Sequence, residues 1–415
     1  MNNEKINGFD SLPPRLRAAL KRCDLLIDKE QLDYFYDLYD PRTGGFYYSI
    51  SSRDSEEMTP FAEGTSFVLT ALHHGGMTLP DWYKKKVGNW VLDHQDESDG
   101  FFYEELWGKI TSGPRIYRDL VYSQSILGLC GLKAKYLYPE ERIKAGEVSS
   151  EKSAGFPEYL ESKEKMKEYL DSLNWKETWS TGQKLVTAMS MIKAAGLYEY
   201  VYDYIVDKQN KETGLWGDGL DWMNTNGAMK LSGFFEDEDH PYPNPRLAIE
   251  SVKKIYGGEV PPTYATYIWN PFVLLSSILY SNKKRAEELR SLLWSSGADI
   301  VNRAVDCALL LKRKDGGFAS CLNEGAPRQQ AYLFGHGFKD ESDLDGTVIA
   351  GYRLRMYIWT VFGVEAPEDY YTPLNDEFWE RCRNKPEIVK TLPRPEGSLN
   401  PWYLPENEKI YKPKW

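Results

Sequence analysis

A glycine-aromatic phrase that recurs along the chain constrains its fold more than any other feature. It reads Asp40-Pro41-Arg42-Thr43-Gly44-Gly45-Phe46, then Asp96-Glu97-Ser98-Asp99-Gly100-Phe101-Phe102, then Lys211-Glu212-Thr213-Gly214-Leu215-Trp216, then Lys314-Asp315-Gly316-Gly317-Phe318. A weaker copy stands at Ala154-Gly155-Phe156. Gly45, Gly100, Gly155 and Gly214 follow one another at 55, 55 and 59 residues, and Gly316 comes 102 residues later, near two periods. A period of roughly 50 to 60 residues suits two helices of about 15 to 20 residues with their connections, so each repeat is read as one helical hairpin. The glycine in each phrase admits the positive φ that such a turn requires.

The segments between the phrases carry apolar residues at helical rather than strand spacing. Helices are expected from Glu63 through Leu72, after Pro80-Asp81-Trp82, and over residues 117–132, 163–173, 181–195, 198–208, 246–256, 270–280, 284–312 with a break near Ser296-Gly297, and 347–362. Pro80 suits a helix start, where a missing N–H costs nothing. Hairpins of constant length must bury two faces each, and an inner ring packed inside an outer ring does this without exposed ends. The expected fold is therefore all-α, an (α/α)6 or (α/α)7 toroid of helical hairpins. It is read as a single domain over residues 1–366, with an irregular extension over 367–415 that is rich in proline and packs on the toroid.

Composition narrows the partners. The formal net charge is −11 with no basic tract to follow a phosphate backbone, so nucleic acid is not an expected partner. Aromatic residues reach 14%, many beside Gly, Asp or Asn, which suits stacking on sugar rings or on a cationic intermediate. Cys23, Cys130, Cys307, Cys321 and Cys382 lack metal-binding spacing, and their odd number points to reduced thiols. The N-terminal residues carry no apolar signal stretch and no window reaches the length of a membrane span, so a cytoplasmic protein is expected, secreted or periplasmic if a signal has been removed. No cofactor and no metal is called for: neither a GxxxxGK[ST] loop nor a GxSxG elbow is present.

The glycine-aromatic turns and the hairpin period resemble the α/α toroids of the terpenoid-cyclase and protein-prenyltransferase superfamily, and the toroids and barrels of many polysaccharide lyases and glycosidases. The likeness covers most of residues 30–365. It implies a ligand held in a central funnel. Asp343-Leu344-Asp345-Gly346-Thr347 is similar to the Asp-x-Asp-Asp-Thr signature of class II terpene cyclases, with Gly346 where the signature has its last Asp. A prenyltransferase zinc site is not matched, since Cys321 lacks an Asp-x-Cys pattern.

Five polar clusters are candidates for chemistry. Arg53 with Asp54, and Arg115 and Arg118 with Asp119, stand in turns among hydroxyls, and guanidinium groups suit bidentate capture of a carboxylate. Trp216, Asp218, Asp221, Trp222, Asn226 and Lys230 form a third group, in which Asn226 and Lys230 share a helix face. His240 and His336 lie in loops, and Tyr264, Tyr267, Tyr332 or His336 supplies a general base and acid, with the choice among them open. Asp343 and Asp345 precede the last long helix, where capping is the plain alternative.

The leading expectation is a carbohydrate-active enzyme acting on an oligo- or polysaccharide, specifically a lyase that cleaves a uronic-acid-containing glycan by β-elimination. Arg53, Arg115, Arg118, Lys230 or Arg328 would hold carboxylates, Asn226 would neutralise the one being activated, and Trp216 and Trp222 would stack on sugar faces. A hydrolase would instead use two of Asp218, Asp221 and Asp345. The alternatives are a terpene-cyclase-like isomerase with Asp343 and Asp345 as acid, and a glycan-binding toroid without catalysis.

Overall fold

A computed structural model describes residues 8–109, 114–144, 158–235, 237–329, 332–367 and 369–397. The chain is predominantly helical, and the one two-stranded pairing among the described residues is the short antiparallel hairpin of Arg328–Gln329 with Tyr332–Leu333. The expected copy at Ala154-Gly155-Phe156 and the prolines beyond residue 397 lie outside the described residues.

Three of the four strong glycine phrases form one and the same turn, and the fourth forms a turn one residue tighter. Asp40 N–H donates to Gly45 O and Gly44 N–H to Asp40 O, both at 2.9 Å. Asp96 with Phe101 and Gly100, and Asn210 with Leu215 and Gly214, repeat that pattern at 2.8–2.9 Å, whereas Arg313 closes on Gly317 and Gly316 at 3.0 and 3.2 Å with each bond spanning one residue fewer. The first or only glycine is left-handed in every copy: φ is 82° at Gly44, 81° at Gly100, 68° at Gly214 and 93° at Gly316. A side chain there would be strained, which is why the phrase could be read from sequence at all.

Each turn follows a helix: Lys29–Leu38, Asp81–Asp93, Tyr198–Asp207 and Gly297–Leu309. Asp28 starts the first of these by accepting from Gln31 N at 2.9 Å. The break expected near Ser296-Gly297 separates Ala286–Trp294 from Gly297–Leu309. The Pro14–Arg22 helix carried no sequence expectation. The segment from Pro367 is not irregular throughout: Asn375–Arg383 is a helix, with Asp376 and Glu377 in its first turn and Arg381 and Arg383 in its last, which complements the helix dipole.

Chain contacts divide the molecule into two compact units. The first gathers residues 1–27, 157–310 and 349–366, and the second residues 28–156, 311–348 and 367–415. In the first, the Trp222–Leu231 helix packs against both Thr178–Thr187 and Ala265–Ser281. Its core includes Leu185, Ile205, Leu231, Val252, Ile268 and Val301, all fully buried. Each such side chain stabilises the fold by about 1.5–3 kcal/mol relative to exposure. In the second, Ala62–His74 packs on Pro114–Cys130, which also meets Asp81–Asp93, and Asn375–Arg383 lies on Lys29–Leu38. All five cysteines are buried thiols, and no described helix is long and apolar enough to cross a membrane.

The helix contacts of the first unit depend on two missing side chains. A Cβ at Gly227 would collide with the Thr178 hydroxyl, and one at Gly182 would stand 2.7 Å from the Lys230 Cβ. Gly227→Ala is expected to destabilise the protein by about 1–3 kcal/mol through overpacking. Urea unfolding followed by circular dichroism checks this, and an unchanged midpoint would show that the helices do not need the close approach.

Candidate functional site

The polar interior of the second unit is a buried ion network. Glu63, fully buried in the first turn of Ala62–His74, receives Arg115 Nη2 at 2.7 Å and the Arg118 guanidinium. Arg115 Nη2 also meets Asp119 Oδ1, one turn further along its own helix, at 2.6 Å, and Trp107 Nε1 donates to Asp119 Oδ2 at 3.1 Å. The Arg115 guanidinium lies 5.0 Å from the Trp107 ring centre and 6.0 Å from that of Tyr332. Aromatic faces of this kind stabilise a desolvated cation.

A third carboxyl, Glu104, completes the group. Its Oε1 accepts from Ala62 N at 2.6 Å, while Oε2 is buried without a hydrogen-bond partner. Burial pushes the Glu104 carboxyl up to about 8, with the charge of Asp119 adding to the shift and the Ala62 N–H and Arg115 opposing it. Burial raises Asp119 too, but there the Arg115 and Trp107 donors pull the other way. Of the two coupled carboxyls Glu104 is the one more strongly held neutral, and the two guanidinium groups face Glu63 and Asp119. Arg115, Arg118 and Asp119, expected to grip a ligand, are committed to one another and to Glu63, because a buried charge must be paired. Tyr332, a candidate base, is 2% exposed and forms a wall of this network rather than an open surface.

The other candidates of the second unit are likewise engaged. Arg53 and Asp54 form a two-point ion pair at 2.7 and 3.0 Å, and Arg53 Nη1 donates to Asp37 O. Their backbone carbonyls accept from Lys390 Nζ, Thr391 N and Leu392 N, so the pair holds the C-terminal segment rather than a substrate carboxylate. His336 shares a proton with Pro393 O at 3.2 Å and stacks on Phe338. Arg328 is exposed in the short hairpin.

Asp343 caps the Leu344–Val348 helix: it accepts from Gly346 N at 2.8 Å, and from Ser320 N and Oγ at 2.6 Å each. Asp345 is buried in the first turn of that helix. Gly346 departs from the cyclase signature for a physical reason, since a Cβ there would collide with the backbone of Ala319 and Ser320. An aspartate does not fit.

In the first unit a second cluster forms where Trp222–Leu231 meets Ala265–Ser281. Asn270 Nδ2 donates to Asn226 Oδ1, which turns the Asn226 amide N–H2 to the other side, where it has no protein partner among the described residues. The Asn270 carbonyl oxygen is buried and also without a partner. Tyr267 stands one turn before Asn270, half-buried, with its ring tilted against that of Tyr264 at 5.1 Å. Burial holds its phenol above the ordinary tyrosine value, and the charge of Asp221 adds to this. Asp221 caps the Trp222 helix by accepting from Asn224 N at 2.8 Å, and Asp218 pairs with Lys176 at 3.2 Å.

Two aromatic expectations are corrected here. Trp216 is fully buried against Phe235 and Tyr242, with Nε1 donating to Ile205 O, so it offers no face to a sugar. Trp222 is 9% exposed, edge-on to Tyr256, and its Nε1 donates to Val260 O at 3.2 Å, which makes it an anchor of the loop before Ala265. His240 is tied to Asp237 and Glu199 at 3.0 Å each; burial alone would lower it, and these two hydrogen bonds outweigh burial and raise it. It serves as a clamp between loop and helix.

Sequence reasoning missed Glu63, Glu104 and Asn270. A signal for the first was present: Glu63-Gly64-Thr65 and Asp345-Gly346-Thr347 are one phrase, and in both the Thr hydroxyl accepts, at 3.0 Å, from the N–H of the aromatic residue in the preceding glycine turn, Phe46 or Phe318. Asn226-Gly227-Ala228 is the related stretch after the third turn. Glu104 and Asn270 left no such trace, because a lone carboxyl or amide gains its role from neighbours remote in sequence.

No family model matches the chain, and no solved structure matches it significantly. It is similar to Ras and Rab interactor 2 of Mus musculus, 23% identical over 147 residues, and to Ras and Rab interactor 2 of Homo sapiens, 22% identical over 147 residues. The match spans 34% of this chain and 16% of the length of each relative.

The Glu104 proton has a thermodynamic consequence. A carboxyl raised on folding contributes stability that is full below its unfolded value, about 4.3, and lost as pH rises through its folded value near 8. Stability of the wild-type protein should fall between pH 5 and pH 8, and Glu104→Gln, which keeps a neutral group in place, should flatten that decline. Thermal melts across this range test it. A wild-type slope that survives the substitution would place the proton elsewhere.

Proposed function

We propose that the chain is a carbohydrate-active enzyme built as an α/α toroid, and that it acts as a lyase on a uronate-containing polysaccharide by β-elimination. The toroid reading is supported by helix, glycine turn, helix repeated four times, three of the turns sharing one hydrogen-bond pattern. The activity rests on one observation above the others. The Asn226–Asn270 hydrogen bond joins the helix bearing the presented amide to the helix bearing Tyr267, a phenol without a protein partner among the described residues.

β-Elimination needs few groups. The proton α to the carboxyl group must leave, the electron pair forms a carbon–carbon double bond, and the bond from the β carbon to the glycosidic oxygen breaks. The Asn226 amide donates to the carboxyl oxygen on which negative charge grows, a stabilisation worth most where water is excluded. Tyr267 as phenolate takes the α proton and returns it to the departing oxygen, so no further reactant is consumed. Tyr264, 37% exposed, offers a sugar face the stacking role that Trp216 cannot fill.

Incubation with a panel of polyuronates and their methyl esters should raise the ultraviolet absorbance of an unsaturated uronic acid. Asn226→Ala should abolish the rise, and Tyr267→Phe should lower kcat by about 10³-fold or more while KM moves little. Because burial keeps the phenol protonated at neutral pH, kcat/KM corrected for the enzyme-free reaction should climb about tenfold per pH unit from pH 7 to pH 9 without a plateau. A flat profile would remove Tyr267 as the base, and silence across the panel would leave a glycan-binding protein without this activity.

A further inference from the structure

We infer that the substrate unit taken by the Asn226 cluster is a neutral uronate ester, a methyl-esterified polyuronate, rather than a free polyuronate. The inference rests on the lyase reading and concerns the chemical class of its substrate.

Charge is the first ground. A free polyuronate brings one carboxylate per sugar, and its recognition calls for a surplus of cations. Around the amide pair the cations among the described residues are already engaged, Arg353 lying over the Trp269 ring at 5.6 Å. Lys176 is matched by Asp218 at 3.2 Å, Lys230 is already engaged within the protein, and Asp221 and Glu259 add negative charge. A carboxylate placed beside Asn226 would be repelled by Asp221, whose charge already reaches Tyr267. An ester carbonyl brings no charge and asks for one hydrogen-bond donor, which is what the Asn226 amide provides.

The rim is the second ground. Leu220 is 37% exposed, Met223 44% and Val260 70%, and they lie together: Leu220 and Met223 flank the cap and first turn that carry Trp222, and Trp222 Nε1 is bonded to the Val260 carbonyl. Exposed apolar side chains one helical turn from the Asn226 amide mark a surface suited to being covered. A methyl ester covers it with an apolar group at the same point where its carbonyl meets the amide.

The third ground is chemical. A proton α to an ester is more acidic than one α to a carboxylate, because the charge formed on losing it is not added to an existing one. A site with a neutral amide as its electrophile is adequate to the ester and poorly suited to the anion. The bonds that form and break are those of the elimination already described, with the ester left intact in the unsaturated product.

The test compares highly methyl-esterified polygalacturonate with the same preparation saponified, each read by ultraviolet absorbance against an enzyme-free control. The expected result is a kcat/KM at least about tenfold higher on the esterified polymer, and a fall in that preference of about tenfold or more in Met223→Lys/Val260→Lys, whose exposed positions and circular dichroism guard against misfolding. Equal or faster reaction on the saponified polymer overturns the inference and leaves the lyase reading standing. Silence on both polymers sinks the lyase reading itself, and an unchanged preference in the double variant shows that the rim does not read the ester.

Discussion

The structure depends on a backbone conformation that only glycine adopts without strain. Gly44, Gly100, Gly214 and Gly316 each turn the chain with φ between 68° and 93°, and around the first three the same pair of backbone hydrogen bonds closes. Gln95 and Gln209 reinforce two of these turns by donating to Gly100 O and Gly214 O at 3.2 and 2.7 Å. The turn sets the angle at which one helix ends and the next begins.

Those starts are where the two units diverge. In the second unit the position after the turn holds Glu63 or Asp345, and the acid at Glu63 draws in two arginines. The outcome is an interior of paired charges, in which Arg115 and Arg118 face Glu63 and Asp119. In the first unit the related position holds Asn226, an amide that needs no counter-ion, and its neighbour Asn270 takes only the oxygen. A neutral side chain at a position where the fold elsewhere places an acid leaves donor capacity over for a ligand.

The C-terminal segment shows the same economy. Lys385 Nζ donates to the carbonyls of Tyr36, Asp37 and Tyr39, where the Lys29–Leu38 helix ends, and Lys390 Nζ to those of Arg53 and Met58. Burial, aided by nearby guanidinium charge, lowers both ammonium groups to about 8. Their hydrogen bonds satisfy carbonyls that a helix end leaves without partners. A stretch dense in proline thereby becomes a fixed part of its unit, with Leu392 bridged to Ser55.

The sequence by itself determined what is local and periodic. The glycine phrases, the helices between them, the break at Ser296-Gly297 and the all-helical class could be read because a left-handed turn demands glycine and a helix demands spacing, and neither needs a distant partner. Only the tertiary structure decided which polar residues were left available. Arg115 and Arg118 look like ligand-binding groups until Glu63 comes beside them, Trp216 looks like a stacking platform until it is enclosed, and Asp343 looks like an acid until Ser320 and Gly346 fill its oxygens. Asn226 gained its role from Asn270, 44 residues away. Burial and pairing are properties of neighbours brought together by folding, and the order of residues along a chain does not encode them in any short pattern.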